Sequence, residues 1–139
     1  MAQSIRDVMT KDPITLSADQ PVIEAARCMR DRDIGDVIIT EGDRAAGILT
    51  DRDIAVRVIA EGRDPKKAKL GEVASMNPAT IAPDDSVDNA IRMMRKHNIR
   101  RLPVVENNRP VGVVTIGDLA IDRDRQSALA DISAAAPNN

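Results

Sequence analysis

Gly47-Ile48-Leu49-Thr50-Asp51-Arg52-Asp53 and Gly112-Val113-Val114-Thr115-Ile116-Gly117-Asp118 are one pattern, G-x-x-T-x-x-D, written twice at a spacing of 65 residues. The same shift aligns Ile5–Ile59 with Leu70–Asp124 without a gap, and sixteen of the 55 pairs are identical. Outside the motif these include Val8/Val73, Pro13/Pro78, Thr15/Thr80, Val22/Val87, Met29/Met94 and Ile34/Ile99. The fold is therefore to be read as one unit of about 55 residues used twice.

Each copy carries the same local signals. After Pro13 or Pro78, Ile14-Thr15-Leu16 and Ala79-Thr80-Ile81 suit brief strands. A helix follows Asp19 or Asp84, with Pro21 expected at its first position and Val22, Ala25, Ala26 and Met29 recurring at three- and four-residue spacing. Val37–Thr40 and Gly47–Thr50 flank Gly42-Asp43, and Leu102–Val105 and Gly112–Thr115 flank Asn107-Asn108; both patterns predict hairpins. A second helix opens at Asp51 or Ile116. Each copy is thus β-α-β-β-α, and a unit of that length is marginal as an independent core. Two copies are expected to bury their sheets against each other about a pseudo-twofold axis, in an α/β (α+β) fold. The expected organisation is repeat one over 1–62, a linker over 63–69, repeat two over 70–126, and a helix end and tail over 127–139.

Composition narrows the function classes. The 139 residues contain no Phe, Tyr or Trp, so the chain has no base-stacking platform of the usual kind, which weighs against single-strand and RNA-recognition modules. Ile, Val and Leu make up 33 residues, enough for a folded aliphatic core. A net charge of −2 offers no basic excess for a phosphate backbone, so nucleic-acid binding is not expected. The single Cys28 forms no intrachain disulfide, the start MAQSIRDVM lacks the apolar stretch of a signal peptide, and no run has the length of a membrane span. A cytoplasmic protein is expected.

The ordered set P-x-T, V-x-x-A-x-x-x-M and G-x-x-T-x-x-D, occurring twice from about Ser4 to Arg125, resembles the tandem CBS-domain pair, or Bateman module. The resemblance implies two units packed as a pseudo-dimer, clefts between them that take adenine nucleotides or adenosyl compounds, and self-association into a homodimer.

The motif has two chemical readings. Thr followed three residues later by Asp at a helix start is a variant capping box, which alone accounts for Thr50, Asp53, Thr115 and Asp118. The same strand end also offers amide N–H groups to an anion, a hydroxyl to a phosphate and a carboxylate to ribose hydroxyls. Gly47 and Gly112 would let a ligand approach the backbone. The resemblance adds Thr15 and Thr80 as hydroxyls facing the ligand, and Arg100 and Arg101 as phosphate contacts. The first copy has Gly35-Asp36 where the second has those arginines, so unequal sites are expected, with phosphate favoured by the second copy.

An enzyme is not expected. His97 is the only histidine, Cys28 aligns with Met93 as a small hydrophobe, and no His/Cys set has metal-ligand spacing. The expected function is a regulatory module that needs no cofactor, binds an adenine nucleotide or adenosyl ligand, and acts on a separate protein, since the repeats occupy the chain. The alternative is a constitutive dimeric interaction protein with unoccupied sites.

Overall fold

Two apolar runs around each predicted turn do pair as antiparallel hairpins in the computed structural model of the chain, which describes residues 4–123. In chain order the elements are α1 (Ile5–Val8), β1 (Thr10–Lys11), β2 (Thr15–Ser17), α2 (Val22–Arg32), β3 (Asp36–Glu41), β4 (Arg44–Thr50) and α3 (Asp51–Ile54). The last runs on into a π-helical turn, Ala55–Ile59. Then follow α4 (Leu70–Val73), β5 (Ser75–Met76), α5 (Val87–His97), β6 (Arg101–Glu106), β7 (Arg109–Thr115) and α6 (Ile116–Arg123). The tail expected over 127–139 lies outside the described residues.

The chain forms two compact units, one of them built from two separate stretches of sequence. Among the described residues one takes 4–13 together with 79–123, and the other takes Ile14–Pro78. Each copy's leading segment completes the other copy's sheet: β1 pairs with β7, and β5 with β4. The sheets run β1-β7-β6 and β2-β3-β4-β5. These two-residue strands carry no readable period-two signal. They are anchored by the short helices before them, whose Ile5, Leu70 and Val73 are buried.

Copy symmetry breaks at the first strand. In the Ile14–Pro78 unit, β2 runs parallel to β3 and Ile38 N–H donates to Ile14 O at 2.9 Å. The residue in Ile38's place is Pro103, which has no N–H to give. There the expected strand over Ala79-Thr80-Ile81 shrinks to a single bridge between Ile81 and Val104. β6 is accordingly an edge strand, where proline is tolerated.

Two other expectations shift in detail. Pro21 is the N-cap residue, one place ahead of α2, with extended backbone at ψ 152°. Its twin Ser86 caps α5 through its hydroxyl, which accepts from Asn89 N–H at 3.0 Å. Both helices end on a left-handed residue, Asp33 and Asn98, at φ 54° and 53°. The cores are separate and aliphatic. Val22, Ala25, Met29, Val37, Ile39 and Leu49 pack with Val58 and Leu70 in one unit, and Ile81, Val87, Ala90, Met94, Leu102, Val104 and Val114 with Ile5 in the other.

Candidate functional site

Both copies build the same knot at the end of the second hairpin strand. Thr50 Oγ1 accepts from Asp53 N–H at 3.1 Å while Asp53 Oδ2 accepts from Thr50 N–H at 2.9 Å. Thr115 and Asp118 repeat this at 3.1 and 2.9 Å. The first helical amide is also occupied: Asp51 N–H donates to Gly35 O and Ile116 N–H to Arg100 O. The capping reading is thus realised in both copies, and the reciprocal bonds hold each hydroxyl and carboxylate in a fixed place.

The motif glycines have a packing reason. A Cβ on Gly47 would sit 2.7 Å from Met76 Sδ and 3.0 Å from Ser75 O. On Gly112 it would meet Met9 Sδ at 2.6 Å and Thr10 O at 2.8 Å. The room each glycine leaves is taken by the exchanged segment beside it.

Strand register sets the electrostatics. Arg101 stands directly opposite Thr115, whereas Asp36 stands opposite Thr50. The threonine of one motif therefore has a cation as its cross-strand neighbour and that of the other an acid. Arg100 does not join Arg101. Arg100 lies in the bend just ahead of β6, its carbonyl accepting from Ile116 N–H, and its side chain lines a cavity of about 390 Å³ between α5 and α6. Thr15, on β2, and Thr80, just ahead of the Ile81 bridge, are both exposed. Arg101, Thr115 and Asp118 are thus brought together in one unit, and Asp36, Thr50 and Asp53 in the other.

The carboxylates differ as well. Asp53 Oδ1 lies 3.7 Å from an Nη of Arg57, whose other Nη donates to Val73 O at 2.9 Å and Ser75 Oγ at 3.3 Å. Sequence motifs do not single out Arg57, although its four-residue spacing from Asp53 is the helical signal that places the two side by side. In the second copy the residue at that spacing is Asp122. Burial pushes the Asp118 carboxyl above its ordinary pKa, against the opposing pull of its bonds to Thr115. A raised carboxyl stabilises the fold below its ordinary value and loses that contribution as pH rises through the folded value. Asp118→Asn keeps an oxygen for Thr115 N–H and removes the titration. Its stability relative to the natural chain is expected to improve from about pH 3 to pH 7, as checked by urea unfolding at both; a flat difference contradicts the buried charge.

His97 closes α5 on an exposed last turn and Cys28 is half-buried on α2. Among the described residues no three His, Cys, Asp or Glu side chains gather as a metal site, and no helix is long and apolar enough to cross a membrane.

The CBS domain family profile matches residues 5–60 and again 70–121. The chain is 40% identical over 134 residues to the CBS domain-containing protein YhcV of Bacillus subtilis, covering 94% of this chain and 95% of that one. Its fold is similar to the CBS domain pair of protein MJ0100, solved in complex with 5′-methylthioadenosine and S-adenosyl-L-methionine. There the TM-score is 0.80 at 29% identity, over 91% of this chain and 100% of that one. It is also similar to Hypoxic Response Protein I, solved with two coordinated zinc ions, with a TM-score of 0.76 at 35% identity, over 85% of this chain and 97% of that one.

Proposed function

The chain belongs to the CBS-domain family, whose unit it carries twice, and on that premise we propose that it is a non-catalytic regulatory module. It binds an adenosine-containing ligand at its Thr/Asp motifs, forms a homodimer, and presents a ligand-dependent surface to a separate partner protein. The observation that carries this reading is the duplicated motif with its polar groups already oriented. Thr115 and Asp118 are locked by reciprocal bonds, and Arg101 is the cross-strand neighbour of Thr115. Such preorganisation lowers the ordering cost of binding.

The Arg101, Thr115 and Asp118 set is the phosphate-bearing site in this reading, with Gly112 and Thr80 completing its surroundings and Arg100 left out of it. The Thr50 and Asp53 set, with Gly47 and Thr15, sits beside Asp36 and takes a less anionic adenosyl compound. Adenine rests against aliphatic side chains, because the chain has no Phe, Tyr or Trp. Ligand acts by binding one surface state more tightly than another.

Calorimetric titration of AMP, ATP and 5′-methylthioadenosine tests this. Arg101→Ala is expected to weaken AMP and ATP by about tenfold or more, the value of a charge-assisted hydrogen bond, and to leave 5′-methylthioadenosine within about twofold. Equal loss for all three removes Arg101 from phosphate recognition. One observation favours a second reading, a constitutive interaction protein: the capping boxes satisfy Thr and Asp without any ligand. A chain that binds none of the three compounds while remaining folded supports that alternative. With no Trp or Tyr, absorbance near 260 nm reports nucleotide retained through purification directly.

A further inference from the structure

The segment that adds strand β5 touches the first motif at both of its ends. At the glycine end it fills the space beside Gly47, where an added Cβ would meet Met76 Sδ at 2.7 Å and Ser75 O at 3.0 Å. At the aspartate end Arg57 makes the connection. One Nη lies 3.7 Å from Asp53 Oδ1, and the other donates to Val73 O at 2.9 Å and to Ser75 Oγ at 3.3 Å. Val73 closes α4 and Ser75 opens β5, so one guanidinium joins the motif carboxylate to the corner where the added strand enters its sheet.

A guanidinium is planar and carries its N–H donors on a rigid frame, so groups held by its two Nη atoms are constrained together. The oxygens of Asp53 divide in the same way: Oδ2 accepts from Thr50 N–H at 2.9 Å, while Oδ1 faces Arg57. The Asp53 side chain is 16% exposed, so water screens the pair only in part.

The second copy has no such arginine at the matching place. Val8, Thr10 and Asp118 stand for Val73, Ser75 and Asp53, but Asp122 stands for Arg57. A carboxylate has no N–H to give to the Val8 carbonyl. The second motif shares the contact at its glycine, where Met9 Sδ and Thr10 O crowd Gly112, and differs at its aspartate.

We propose that Arg57 is a positioning residue that couples ligand at the first motif to strand β5, so that occupancy of the first copy, rather than the second, is passed on to the added strand of its sheet. Ribose hydroxyls that donate to Asp53 hold its carboxylate in place. Through the arginine, Val73 and Ser75 are held with it, and opening of the β4–β5 edge becomes rarer. The inference rests on the adenosine-binding reading and specifies which copy transmits.

Amide hydrogen exchange over residues 74–77, with and without saturating 5′-methylthioadenosine, tests this on chains whose folding is checked by circular dichroism. Within that stretch Ala74 N–H donates to Leu70 O and Asn77 N–H to Ala46 O, both at the corner that Arg57 holds. In the natural chain the compound is expected to slow exchange there by about fivefold or more. Arg57→Met keeps the aliphatic stem and removes the fork, and its slowing at saturation is expected to shrink to less than about twofold. A role in stability alone would quicken exchange with and without the compound and leave the slowing intact. Arg57→Lys returns a charge beside Asp53 on a single ammonium, and is expected to recover affinity more fully than the slowing. No binding of 5′-methylthioadenosine, or binding that survives Asp53→Ala, overturns the site reading and the inference with it. Binding that depends on Asp53 but leaves exchange at β5 unchanged, or slows it equally in Arg57→Met, overturns the inference alone.

Discussion

Replacing Ile38 by proline is expected to destabilise the chain by about 3 kcal/mol or more, although proline is the natural residue at the matching place in the other copy. Ile38 is fully buried on β3, which has β2 on one side and β4 on the other. Its N–H is the donor to Ile14 O at 2.9 Å, so proline removes that ladder bond and leaves the carbonyl of half-buried Ile14 without its strand donor, a loss of about 1–3 kcal/mol. The smaller ring also leaves part of the isoleucine volume empty, for roughly another 1–2 kcal/mol. Pro103 escapes both penalties because β6 is an edge strand and its neighbour makes only the Ile81 bridge. Urea unfolding monitored by circular dichroism measures the effect. A loss below about 1 kcal/mol would mean that the β2–β3 pairing contributes little. The reverse change, Pro103→Val, is expected to be close to neutral: it creates a donor for the Ala79 region while loosening the unfolded chain.

Gly112→Ala is expected to cost about 1–3 kcal/mol, the range for forcing extra volume into a packed site. The added methyl would lie 2.8 Å from Thr10 O, and a backbone atom can yield only if β1 moves away from β7. Met9→Ala in the same chain removes the 2.6 Å clash with Sδ but leaves the carbonyl, so rescue is partial. Gly47→Ala differs in degree. Its tightest neighbour is the Met76 side chain at 2.7 Å, and Ser75 O is at 3.0 Å, so Met76→Ala is expected to recover most of its loss. Hydrogen exchange at Thr10 and Lys11 locates the damage; unchanged protection there in Gly112→Ala would show that β1 does not bear on the glycine. If the motif glycines existed to admit a ligand, the alanine variants would lose affinity with little loss of stability.

How far the sequence could be read follows from the range of each interaction. The helices over Val22–Arg32 and Val87–His97 were legible because their buried residues recur at helical spacing within one segment. The hairpins were legible for a similar reason, with turn residues at Gly42 and at Asn107-Asn108, all of which adopt positive φ. The Thr/Asp knot was legible as a capping box because both partners lie three residues apart. The short strands β1 and β5 were not, since their partners stand many residues away and two residues carry no period. The strand lost at Ala79–Ile81 was hidden differently: the cause is Pro103, on another strand. The arginine pair divided because the strand begins between them: Arg101 is in the β6 register opposite Thr115, while Arg100, in the bend ahead of it, lines the α5/α6 cavity.

By itself the sequence determined that the chain is one β-α-β-β-α unit used twice, that its core is aliphatic, and that a Thr/Asp pair caps the last helix of each copy. Those features depend on periodicity, composition and neighbours within a few residues. Only the tertiary structure decided which segment completes which sheet, why glycine opens each motif, and which charge stands across from each threonine. Those outcomes depend on pairing between strands distant in the chain, and a register is not written in either strand alone.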